Sequence, residues 1–363
     1  MIAEILIATL IAVSITYVFT PFTIMVAKKL SLVDDPTKRP HPAHTHRGII
    51  PRAGGLPIFV GIFLPVFSVL AGQKQLTGIF LGASLLLIIG LLDDLKDISP
   101  YLRFATNCIA VSLVVFFGVE MGYITNPFGG TLQFSSWQTV ITFGSIHIPL
   151  TFSQVAAFLW ILWTTNIIGW SGGVDGQLPG FVAIAAVVIG ILSLRFAFTD
   201  PTQTYVTILS FITAGAFLGF LPWNVYPQKI MPGYSGKTLA GFFLGILSIL
   251  AVTKLGTAIL VLAVPMTDAV FILARRFILR KPLVAASGDH LHHHLLSLGW
   301  SRHKVAAFYW GITALAGIAA LTLSSKQKVF TAVLIIVLIS SLIIWLNLFR
   351  ENATQIKKKK IQS

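Results

Sequence analysis

The chain has 363 residues, of which 55% are hydrophobic and only 10% charged, with a formal net charge of +14. So little polar surface excludes a soluble globule of this length, and apolar runs able to cross ~30 Å of hydrocarbon recur from end to end. A single cysteine, Cys108, leaves neither a disulfide framework nor a cysteine-based metal site. The basic excess is read as a topology signal with attraction to anionic membrane lipids, and no nucleic-acid partner is expected.

The predicted fold is an all-α polytopic membrane protein. Eleven spans follow in order at residues 2–27, 54–71, 76–92, 101–119, 152–168, 178–196, 205–221, 239–253, 255–271, 305–323 and 329–349. The first is too long for a signal-peptide core and carries its positive charges after the apolar run, so it is expected to stay as a helix. Only Lys254 and Gly256 mark a turn between the eighth and ninth spans. Alternating the eleven spans places 21 of the 26 basic residues in one set of loops. The other set takes Lys74, Arg195, Lys254, Lys326 and Lys328. The positive-inside rule makes the richer side cytoplasmic, with the N-terminus outside and the C-terminus inside. Residues 1–349 are expected to form one transmembrane domain in the plasma (inner) membrane, and 350–363 a basic cytoplasmic tail. The stretch 120–150 alternates Thr, Phe, Val and Ile around Gly129-Gly130, which predicts a small extracytoplasmic β-hairpin.

Four loops on the expected cytoplasmic side carry chemistry. Leu92-Asp93-Asp94-Leu95-Lys96-Asp97 puts three carboxylates at the edge of an apolar run. Asp93 and Asp97 share a helical face, and hard oxygen ligands suit Mg²⁺ joined to substrate phosphates. Carboxylates at the edge of lipid otherwise need water or a cation. The loop at 31–53 runs through Lys38, His41, His44 and His46 to Pro51-Arg52-Ala53-Gly54-Gly55. Its cations and backbone N–H groups suit an anionic headgroup, and its glycines alternatively serve close helix packing. Asn166, Gly169, Gly172, Gly173, Asp175 and Gly176 close a helix, where the backbone can approach a ligand and Asp175 can accept paired N–H donors from a base. Asp289-His290-Leu291-His292-His293-His294 follows Arg275, Arg276, Arg280 and Lys281. With no thiolate nearby, this loop suits phosphate better than a transition metal.

With these motifs in this order, the chain resembles the polyprenyl-phosphate N-acetylhexosamine-1-phosphate transferases. The carboxylate and histidine motifs carry the resemblance, and Pro51-Arg52-Ala53-Gly54-Gly55 leans toward the branch that initiates O-antigen and teichoic acid. The resemblance implies transfer of a hexosamine 1-phosphate from a UDP-N-acetylhexosamine to undecaprenyl phosphate, releasing UMP, with Mg²⁺ or alternatively Mn²⁺. It implies that Asp93 lies near the lipid phosphate, with Asp94 beside it at the metal. Asp93, Asp94 and Asp97 are then the metal candidates. It further places Asp175 on the uracil, His290, His292 and His293 on the donor's phosphates or sugar, and Asn166, Arg52 and Lys38 among the substrate contacts. A homodimer is compatible with it.

The chain departs from that pattern. Gly169 and Gly172 stand where the resemblance leads one to expect Asn and Asp, and Tyr234 follows Gly233 where an Asp metal ligand is expected. A phenol is a poor Mg²⁺ ligand beside a carboxylate. The first rival reading is therefore a non-catalytic relative that binds lipid phosphate or a partner enzyme. The second is a transporter, against which the expected spans hold few ionisable side chains, Asp268 being the main exception.

Overall fold

The computed structural model describes residues 1–37, 48–70, 72–126, 128–143, 146–251, 254–282 and 290–362. Lys38, His41, His44, His46 and Asp289 lie outside the described residues. The helices begin with α1 (Ile2–Lys29), α2 (Gly55–Val69), α3 (Lys74–Lys96) and α4 (Pro100–Phe116). After a stretch of strands come α5 (Phe152–Ser171), α6 (Gln177–Leu194), α7 (Pro201–Asn224) and α8 (Gly233–Leu250). The chain ends with α9 (Lys254–Val261), α10 (Ala263–Ile278), α11 (Leu291–Ser297), α12 (Arg302–Thr322) and α13 (Ser325–Gln362).

Local chemistry sets several of these starts. Ser99 accepts from the Leu102 N–H with Pro100 in the first turn, which opens α4. Thr151 and Gln154 make a reciprocal capping box at α5. Asp200 caps α7 ahead of Pro201, and Ser301 caps α12.

Among the described residues, eight helices are long and apolar enough to cross a membrane: α1, α3, α5, α6, α7, α8, α12 and the first part of α13. The expected ninth span is instead broken at Leu262, where α9 and α10 meet at 80°. Two further expected spans are the shorter α2 and α4, of 15 and 17 residues. The backbone of α13 continues without a break through the expected tail to Gln362. Between α4 and α5 the structure has two antiparallel hairpins where the sequence predicts one. Tyr123–Thr125 pairs with Thr131–Gln133, and Gln138–Phe143 pairs with Ile146–Thr151. A two-residue pair, Val33–Asp34 with Ile50–Pro51, brackets the basic loop.

The core is built on α6, α7 and α8, the most enclosed helices, with α1 and α13 at the periphery. Glycines let backbones meet there, as expected where lipid tails offer no hydrophobic drive for helix association. A Cβ at Gly241 would lie 2.3 Å from the Thr164 carbonyl oxygen and 2.7 Å from the Thr165 Cα, so α5 and α8 touch backbone to backbone. Gly245 meets α5 one turn further on, at Thr164 and Ile161. Because the obstructing atoms at Gly241 are main chain, Gly241→Val is expected to destabilise the fold by about 1–3 kcal/mol, read by thermal unfolding in detergent.

Candidate functional site

The end of α3 folds back on itself to build the acidic cluster. Asp97 takes the left-handed conformation at φ 48°, which a short polar side chain tolerates, and its N–H closes on the Asp93 carbonyl. The turn brings the Ile98 N–H to Asp93 Oδ1 at 3.1 Å. It also starts α4 so that Arg103 reaches back over the α3 end, its Nε 2.7 Å from the same oxygen. Asp93 Oδ2 is buried and has no hydrogen-bond partner among the described residues.

Asp94 plays a different part. Its Oδ1 accepts the Tyr234 N–H at 2.8 Å and its Oδ2 accepts the Ser235 hydroxyl at 3.1 Å. Those are the second and third residues of α8, whose own N-cap position is Pro232. A carboxylate on one helix therefore caps another and meets the positive end of its dipole. The approach needs bare backbone. A Cβ at Gly90 would sit 2.4 Å from the Ser235 Cα, and one at Gly55 would sit 2.5 Å from Ser235 Oγ.

Arg52 completes the cluster. Its backbone N–H donates to the Leu32 carbonyl, and the Met231 N–H donates to the Pro51 carbonyl beside it. The guanidinium lies 3.4 Å from Asp94 Oδ1 and 3.6 Å from Asp97 Oδ1. Burial works against its charge, but Asp94, Asp34, Asp97 and Asp93 outweigh burial and hold its pKa above the ordinary arginine value.

The Gly-Asp loop forms the second wall. Asp175 is buried and faces Arg302 at 3.4 Å, while Arg302 stacks over the Tyr226 ring at 4.7 Å. Asn224 accepts the Gly176 N–H, and Gln177 ties back to the Ser171 carbonyl. Asn166 faces inward as part of a polar chain, accepting from Asn107, whose amide also donates to the Tyr234 hydroxyl.

The histidines occupy the short α11. His290 is bonded to Asp268 and stacks on His292 at 5.5 Å, and His292 meets His293 at 4.3 Å. His292 fills the space left by Gly173, where a Cβ would lie 2.0 Å from Nε2. Burial first, then His293 and His290, hold the His292 imidazole well below the ordinary histidine value. Lys237, one turn into α8, links the walls. It lies within electrostatic reach of Arg52, Asp94 and Asp34 on one side and of His292 on the other.

The structure thus gathers Asp93, Asp94, Asp97 and Arg52 in one cluster, with His290, His292 and His293 on the opposite wall and Asp175 beside Arg302. Sequence reasoning missed Arg103, Asn107, Lys237, Asp268 and Arg302 as site members. Two of these left a signal: Asp268 as the main ionisable residue inside an expected span, and Arg103 because the Ser99-Pro100 helix start fixes where the first-turn side chains of α4 fall. Among the described residues, no group of three or more His, Cys, Asp or Glu side chains is arranged to hold a metal ion.

The chain is similar in sequence to several known proteins. The model of glycosyl transferase family 4 matches residues 76–252, which run from α3 to the end of α8. The undecaprenyl-phosphate alpha-N-acetylglucosaminyl 1-phosphate transferase of Escherichia coli K12 is 32% identical over 309 residues, covering 80% of this chain and 76% of that protein. The chain belongs to this family of polyprenyl-phosphate sugar-1-phosphate transferases. A probable undecaprenyl-phosphate N-acetylglucosaminyl 1-phosphate transferase of Bacillus subtilis is 29% identical, covering 93% of this chain and 89% of its own length. The decaprenyl-phosphate N-acetylglucosaminephosphotransferase of Mycobacterium tuberculosis H37Rv is 28% identical, covering 89% and 84%. The chain covers 76% to 89% of the length of these three relatives.

Two outcomes follow from the geometry. Asp94→Ala strips the cap from α8 and leaves Arg52 underneutralised, so it should lower stability by about 1–3 kcal/mol, with Asp94→Asn falling between it and the parent in thermal unfolding. His292 is neutral when folded and takes a proton near pH 6.5 when unfolded. Its contribution is complete above that pH and is lost as pH falls below it, because the unfolded state then binds more protons. The loss is read as the difference between the parent and His292→Gln unfolding profiles from about pH 7.5 to about pH 5.5, which cancels the acids common to both.

Proposed function

We propose that this protein transfers an N-acetylhexosamine 1-phosphate from a UDP-sugar to undecaprenyl phosphate on the cytoplasmic face of the inner membrane, initiating a cell-envelope glycan. An oxygen of the lipid phosphate attacks the sugar-bearing phosphorus, the bond to the bridging oxygen breaks, and that oxygen leaves with UMP. N-Acetylglucosamine is the first sugar to test, since the relatives are named for it. The observation that carries the reading is a buried Asp93 whose Oδ2 lacks a partner among the described residues, in an acidic cluster whose Asp94 and Arg52 lie within electrostatic reach of Lys237, which in turn reaches His292.

Phosphoryl transfer needs positioning and charge neutralisation more than covalent chemistry, and the walls divide that work. Asp93 orients the lipid phosphate or accepts its proton, with Arg103 fixing the carboxylate. Asp94 and Arg52 hold the α8 entrance in register. His290, His292 and His293 receive the donor's phosphates and sugar, and Asp175 with Arg302 receives the base. Asn166 supports the floor through Asn107.

The donor set fits a divalent cation at one place. Asp94's oxygens are taken by helix donors and Arg52, and Asp97 faces Arg52, whereas Asp93 Oδ2 is a buried oxygen that lacks a partner among the described residues. Mg²⁺ commonly joins one or two carboxylates to substrate phosphates and water, and when bound it would neutralise charge on the diphosphate. Asp93 would hold it, with Asp97 the nearest further carboxylate of the cluster.

Purified protein given undecaprenyl phosphate, UDP-N-acetylglucosamine and Mg²⁺ should release UMP and form labelled lipid diphosphate-sugar. Chelation should stop the reaction, and Mg²⁺ or Mn²⁺ should restore it. Asp93→Asn and His292→Ala should each abolish release while remaining folded and membrane-inserted. Unchanged release from either variant would sink its assigned role.

A further inference from the structure

The ionisable side chain least explained by the transfer site is Asp268. It is fully buried on α10, just past the 80° break, and it touches none of the acidic cluster. Both of its oxygens are committed to the histidine helix. Oδ1 accepts the Leu291 N–H at 2.8 Å, capping α11, and Oδ2 lies 2.8 Å from His290 Nδ1. His290 is itself the residue at the α11 N-cap.

We infer that Asp268 is a positioning residue that fixes the tautomer and ring orientation of His290 for the donor's phosphates. This rests on the reading of His290 as a donor ligand. A carboxylate offers only acceptors, so Nδ1 must carry the proton that joins them. The substrate-facing atom is then Nε2, on the opposite edge of the ring. It is a lone-pair acceptor when the ring is neutral, and it bears an N–H when the ring takes up a second proton, whose charge Asp268 offsets. The stack with the neutral His292 holds the plane of the ring. Tyr309 on α12 lies within electrostatic reach of Asp268, and His293 and His294 on α11 with Lys237 on α8 lie within reach of His292, on which His290 stacks.

Asparagine at position 268 separates the two tasks. Its amide oxygen can still accept the Leu291 N–H, but the remaining group is an NH₂ donor, which forces His290 Nδ1 to accept and moves the ring proton to Nε2. The helix cap survives while the tautomer inverts.

The test compares Asp268→Asn, His290→Ala and the double variant for UMP release, with ¹⁵N spectra of ring-labelled histidine as a second readout. Asp268→Asn should lower the turnover rate by at least about tenfold, as orientation errors at a reacting group do. The double variant should be no slower than His290→Ala, because the two residues act as one unit. The His290 resonances should show a protonated Nδ1 in the parent and a protonated Nε2 in Asp268→Asn. Multiplying losses in the double variant, full turnover in Asp268→Asn, or an unchanged tautomer would each overturn the positioning role while leaving the transfer reading in place. Full turnover in His290→Ala would overturn both this role and the assignment of His290 as a donor ligand.

Discussion

The site depends on a buried carboxylate of one helix closing the amino end of another. Asp94 does this for α8 and Asp268 for α11, each from a different helix and each with both oxygens engaged. A helix start near lipid leaves N–H groups that water cannot easily reach, and a carboxylate there satisfies them and meets the positive end of the helix dipole. The same contact lowers the cost of burying the acid. Neither partner is well placed without the other, so the two caps set the positions of both walls.

Close backbone approach makes the first cap geometrically available. Gly55 and Gly90 clear the way for Ser235, and Gly173 clears the way for His292. The Gly pair after Arg52 therefore answers both readings of that motif. The glycines serve packing, while the arginine neutralises Asp94 and Asp97. Gly169, at the place where the family resemblance implies an asparagine, packs beside the Cβ of Lys237.

Much of this was legible in the sequence. Hydropathy located the helices, and the spacing of Asp93, Asp94 and Asp97 marked the place where the acidic cluster forms. The contrast between the three aspartates was not legible, because it depends on Tyr234 and Ser235, some 140 residues away. Arg103 and Lys237 looked like topology charges, since a one-dimensional count gives an arginine in a loop and an arginine on a carboxylate the same weight. The strands of residues 120–150 were read as one hairpin because the turn at Gly129-Gly130 is marked by glycines, whereas the alternation alone does not reveal a second pair. The break at Leu262 was hidden for a similar reason, as its flanks are apolar on both sides.

That break bears on how the chain assembles. A straight helix from Lys254 would carry Asp268 about 21 Å along its axis, roughly two-thirds of the way across ~30 Å of hydrocarbon. The 80° turn lays the carboxylate against α11 instead. In a chain made from its amino end, Asp268 emerges 22 residues ahead of His290. Until α11 arrives, Asp268 has neither the Leu291 N–H nor the His290 ring to engage, so the elbow and the histidine helix take their final positions together.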